Sequence, residues 1–129
     1  MSATAENPAA TATPTAVEER VIARVISDDP LYRKIPVALR FAASEPLAVR
    51  IVFPADVSPE GTDNEWVFPR ALLEAGLQAP TGTGDVRVWP CGRVQAVVEF
   101  HSPDGVAVVQ FDIAALRRFL RRTYAPAGV

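Results

Sequence analysis

Val94-Gln95-Ala96-Val97-Val98-Glu99-Phe100-His101-Ser102-Pro103-Asp104-Gly105-Val106-Ala107-Val108-Val109-Gln110-Phe111 is the stretch that decides the fold class. Side chains of a strand alternate between two faces, so this run places Val94, Ala96, Val98 and Phe100 together on one of them. Ser102-Pro103-Asp104-Gly105 carries Pro at the second and Gly at the fourth position, as a type I turn prefers, and Val106 to Phe111 returns as the partner strand. Asp112 is then a good N-cap for a closing helix. On that helix Ile113, Leu116, Leu120 and Tyr124 share a stripe with Phe119 at its edge, while Arg117, Arg118, Arg121 and Arg122 occupy a neighbouring sector.

Upstream, the β-branched run Val17 to Ile26 reads as a strand, although Val17, Val21 and Val25 also fit helical spacing. Pro36 to Ala43 places Val37, Leu39 and Phe41 on one face. Leu47 to Phe53 does the same with Leu47, Val49, Ile51 and Phe53, turning Arg50 away. Asp28-Asp29-Pro30 and Ser44-Glu45-Pro46 separate these runs, and Pro54 to Asp63 reads as a loop. Asn64 to Phe68 is a short strand. Pro69 to Gly76 reads as a helix of about two turns, with Pro at its start and Gly just past its end. Asp85 to Trp89 alternates again. Strands, a short internal helix, more strands and a closing C-terminal helix, without regular βαβ alternation, predict an α+β domain with mostly antiparallel sheets.

The chain has 129 residues, 49% hydrophobic and 22% charged, which suits a single core. Residues 17–125 are expected to form that one domain. Residues 1–16, small and Pro-bearing, read as a flexible tail, and 126–129 as a short C-terminal one. A single His (His101) and a single Cys (Cys91) exclude a multi-His or multi-Cys metal site and any disulfide within one subunit. No stretch nears the roughly 18 apolar residues of a membrane-spanning helix, and no signal-peptide pattern opens the chain, so a cytoplasmic location is expected. One Lys (Lys34) against twelve Arg suggests a GC-rich coding genome more than a partner.

Candidate chemistry is sparse. Pro80-Thr81-Gly82-Thr83-Gly84-Asp85 is Gly-rich, but a Walker-type phosphate loop needs Lys and then Ser or Thr where Asp85 stands, so a tight turn entering a strand at Val86 is expected. His101 ends a strand with no nucleophile elbow elsewhere, and Cys91 follows Trp89-Pro90 in a turn. No catalytic residue, cofactor or metal ligand is assigned. The charge is more informative in its distribution. The net −2 divides into +3 over Asp112 to Tyr124 and −5 over the remainder, making the closing helix the basic pole. Arg117, Arg118, Arg121 and Arg122 are therefore candidate contacts for an acidic partner, against the alternative that they only complement the helix dipole. Trp66 and Trp89 are candidates for a subunit interface or a base-stacking sheet surface, against the alternative that each is core.

Glu65-Trp66-Val67-Phe68, Leu72-Leu73-Glu74-Ala75-Gly76-Leu77 and Pro80 through Trp89-Pro90 together resemble the SsgA-like proteins of sporulating actinomycetes. Weaker similarity extends the match over Val17 to Thr123. The resemblance implies a non-enzymatic regulator of cell division and sporulation that helps septum placement or cell-wall remodelling through protein contacts. Its Thr81-Gly82-Thr83-Gly84-Asp85 run is then a structural turn of the family. It further implies a whirly-like fold, a homotrimer, and recruitment to division septa. The expected partners are the chain itself and division or sporulation proteins, such as another SsgA-like member or the septal machinery. Whirly proteins bind single-stranded nucleic acid, which supplies the alternative function; the net-negative sheet region argues against it. Many SsgA-like proteins continue beyond the closing helix, and a role housed there is expected to be absent or relocated.

Overall fold

The computed structural model describes residues 15–26, 33–55, 64–103 and 105–124. Among these, the chain runs β1 (Ala16–Ile26), β2 (Arg33–Ala42), β3 (Ala48–Phe53), β4 (Asn64–Pro69), α1 (Arg70–Gly76), β5 (Thr81–Thr83), β6 (Val86–Cys91), β7 (Gln95–Ser102), β8 (Gly105–Asp112) and α2 (Ile113–Tyr124). The strands form one sheet in the order β4-β3-β2-β1-β8-β7-β6-β5. Every neighbouring pair is antiparallel. Two four-stranded meanders are thus joined where Arg24, Val25 and Ile26 of β1 pair with Gln110, Val109 and Val108 of β8.

The sheet curls. In sheet order three strands separate β3 from β7, and in a flat sheet that would hold their residues roughly 19 Å apart. Instead the Phe100 ring on β7 lies 5.4 Å from Phe53 on β3, 5.0 Å from Trp66 and 6.4 Å from Phe68 on β4. The concave face holds the core: Val37, Leu39 and Phe41 from β2, Val49, Ile51 and Phe53 from β3, Ala96, Val98 and Phe100 from β7, and Val109 and Phe111 from β8. Leu72 and Leu73 of α1 and Ile113, Leu116, Phe119 and Leu120 of α2 complete it.

The alternation read from the sequence fails where strand pairing stops. Leu47 precedes β3 and is 77% exposed, and Val94 precedes β7 in a turn and is 67% exposed. Neither has a neighbouring strand to hold it over the core. Instead their carbonyls are used: Leu47 accepts from the Arg70 N–H (2.8 Å) and Val94 from the Ile113 N–H (2.8 Å), satisfying the first amide of each helix. On α2, Phe119 is central to the buried stripe, not at its edge, and Thr123 takes the last inward position in place of Tyr124, which is 48% exposed. Asp112 directly precedes α2, and its carboxylate accepts from Gln95 Nε2 at 2.8 Å.

Pro69 stands one residue before α1, but Gly76 is the last helical residue and not a stop signal beyond it. A Cβ at Gly76 would overlap the Val88 side chain, so glycine is there to let α1 lie against β6. Thr81-Gly82-Thr83 is more than a turn: it is strand β5, paired with Val86–Val88, and only Gly84 and Asp85 turn the chain. Gly84 has φ +59°, a left-handed conformation that glycine adopts without strain. Cys91 ends β6 and is exposed, not set in a turn. Ala16 already belongs to β1, and the Thr15 carbonyl accepts from the Ala43 N–H at 2.9 Å. Residues 1–14, the Asp28-Asp29-Pro30 break, most of the Pro54 to Asp63 loop, Asp104 of the hairpin turn and the last residues, 126–129, lie outside the described residues.

Candidate interaction surfaces

Along β1 the inward row reads Val17, Glu19, Val21, Ala23 and Val25, so strand alternation puts one carboxylate on the apolar side. Glu19's side chain is only 10% exposed. Two arginines of α2, one turn apart, cover it: Arg118 Nε donates to Oε1 and Arg122 Nη1 to Oε2, each at 3.0 Å. Arg122 also reaches the Glu18 carbonyl at 3.4 Å. Burial pushes the Glu19 carboxyl up, but the hydrogen bonds and charges of Arg122 and Arg118 outweigh it and hold it below the ordinary glutamate value. The acid therefore stays ionised and fastens α2 to β1.

The other two arginines behave differently. Arg117 and Arg121 are exposed and make no ion pair or hydrogen bond with any described residue. They flank an open groove of about 500 Å³ between α1 and α2, lined also by Glu74, Leu77, Gln78, Leu120 and Tyr124. Arg70 of α1 braces its end. Its Nη1 donates to the Thr123 carbonyl (3.1 Å) and Oγ1 (3.3 Å), and its guanidinium lies 3.7 Å from the Tyr124 ring centroid. A cation thereby meets the negative C-terminal end of α2 from outside the helix. The Tyr124 hydroxyl donates to Glu74 Oε1 at 2.8 Å. Burial and that carboxylate raise the phenol above its ordinary value. The four arginines of the basic pole are thus two pairs in different surroundings, one bonded to Glu19 and one exposed beside the groove. Arg70 escaped sequence reading because it is far from α2 in the chain; Glu19 left a signal, an acid at an inward position of an alternating strand.

Trp66 is partly buried and packs on the core against Phe100. Trp89 is half-buried on the opposite face of its strand from Val86 and Val88. With Arg87, Glu99 and the 80–84 hairpin it lines a second open hollow of about 500 Å³. His101 and Glu99 hydrogen-bond at 2.8 Å beside it. The two tryptophans are not brought together, and neither adjoins the arginine groove.

A family model described as the Streptomyces sporulation and cell division protein SsgA matches residues 35–128. The chain belongs to the SsgA family. Sporulation-specific cell division protein SsgB of Salinispora tropica is 39% identical over 114 residues, covering 86% of this chain and 79% of that relative. SsgB of Kineococcus radiotolerans is 44% identical over 96 residues, covering 70% of this chain and 56% of the relative, so the chain spans about half of that protein's length. The crystal structure of an SsgA-like sporulation-specific cell division protein from Thermobifida fusca matches with a TM-score of 0.76 at 32% identity, over 90% of this chain and 86% of that one. Two of the SsgA-like segments meet in the fold where Gly76 lies on Val88 of β6, and the third packs Trp66 and Phe68 on Phe100 of β7. In this SsgA-family member these contacts are internal packing: they lie where the sheet curls and where α1 meets β6.

Proposed function

We propose that this chain serves sporulation-linked cell division as a contact protein without chemistry of its own, helping septum placement or wall remodelling by docking other division proteins. The observation that carries this reading is the division of labour on α2: Arg118 and Arg122 are consumed by Glu19, whereas Arg117 and Arg121 are left to the surface beside a groove. The names of the SsgB relatives support the process. A homotrimer suits a sheet whose two edges, β4 and β5, lack neighbours within the described chain. Light scattering is expected to give about three times the 13.9 kDa chain mass, and a value of one chain mass would contradict assembly. Whirly-like single-strand binding finds less support: of the arginines on the outer sheet face, Arg20, Arg40 and Arg50 are engaged by Glu18, Glu45 and Glu65, leaving Arg24 and Arg87. Removing the gene from the native host is expected to misplace or abolish sporulation septa, with the fluorescently tagged chain found at those septa. Normally spaced septa would contradict the proposal.

A further inference from the structure

We infer that the groove between α1 and α2 recognises an acidic linear peptide carrying an apolar anchor residue, with Arg117 and Arg121 receiving its carboxylates. This rests on the contact-protein reading and specifies its partner. Arg117 and Arg121 are four residues apart, so their side chains rise from neighbouring turns of one helix face, with Cβ atoms about 6 Å apart. That spacing suits two acids of one segment. Between the helices Leu77 and Leu120, 5% and 6% exposed, give an apolar floor. Tyr124 forms a half-exposed aromatic wall, held by Arg70 and by its bond to Glu74. The groove is open, with a volume of about 500 Å³. One anchoring side chain and its flanks fit such a space.

The chemistry favours a peptide over a polyanionic surface. Two cations face one acid, Glu74, in the lining, and Glu74 already accepts from Tyr124. A membrane or nucleic acid would need a broad positive field, whereas this site is concave and carries a single pair. A partly exposed aromatic beside arginines is the composition of a protein-contact anchor site.

The test is selection of a random-peptide display library on the full chain, in parallel with R117Q/R121Q and with R24Q/R87Q, which removes the same charge from the outer sheet face. Thermal melts establish that all three are folded. Peptides selected on the unaltered chain are expected to place Asp or Glu beside Leu, Phe or Met. Synthetic, fluorescein-labelled copies should bind R117Q/R121Q about tenfold more weakly or worse, bind R24Q/R87Q unchanged, and weaken with salt. Selected peptides without acidic bias, or equal loss in both variants, would overturn the inference. So would recovery of no peptide together with Arg117- and Arg121-dependent binding to phosphatidylserine vesicles. Such a failure, with septa still misplaced on gene removal, would refute the groove's ligand and leave the division role standing.

Discussion

Arg118 and Arg122 share residue type, helix and i, i+4 spacing with Arg117 and Arg121, one helical position round from them. They differ in what the fold brings opposite. One pair faces a strand whose inward row contains Glu19; the other faces the open space between helices. A charge cluster on a helix is thus not a functional unit until the neighbouring elements are known. Net charge describes both pairs equally; hydrogen bonding separates them.

The largest disturbance of this comparison is removal of the side chain that seats both pairs. Phe119→Ala deletes a fully buried ring under α2 and is expected to cost about 3–5 kcal/mol by denaturant unfolding. It should loosen the Glu19 contact and the groove together. A narrower change is Glu19→Ala, which removes the acceptor of two charge-assisted hydrogen bonds. Because both arginine partners are about half exposed, solvent screens part of the effect, and a loss of about 2 kcal/mol is expected. The groove should keep its peptide binding in that variant.

The same contact has a pH signature. Glu19's carboxyl is held below its ordinary value in the folded protein, so its contribution is fully present above the unfolded glutamate value and is lost as pH falls toward the folded one. Unfolding measured across the acid range is expected to show stability declining there, and Glu19→Gln should flatten that part of the decline. An unchanged acid profile in E19Q would mean that Glu19 does not carry it.

Much of the architecture was legible in the chain. The 94–111 hairpin, the alternating rows of β2 and β3, and the helix after Asp112 follow from periodicity and turn chemistry, which are local. Periodicity points Leu47, Val94 and Tyr124 inward because it continues in the sequence after pairing or helix packing has ended in space. The curl that brings Phe100 to Phe53, Trp66 and Phe68 is set by long-range contacts no local pattern records. The candidate site was half legible: the arginines stood out as a basic pole, but their partition depended on Glu19, 99 residues from Arg118, and on α1, whose Arg70 is 53 residues from Thr123. Arg70's seat at the end of α2 was hidden for the same reason.

The most direct measurement sets two double variants of equal net charge side by side in denaturant unfolding. R118Q/R122Q is expected to lose about 1–2 kcal/mol, because Glu19 is left mostly buried without its partners. R117Q/R121Q is expected to stay within about 0.5 kcal/mol of the unaltered chain, as surface substitutions do. Equal losses in the two variants would contradict the partition of the basic pole into a fastening pair and an exposed pair.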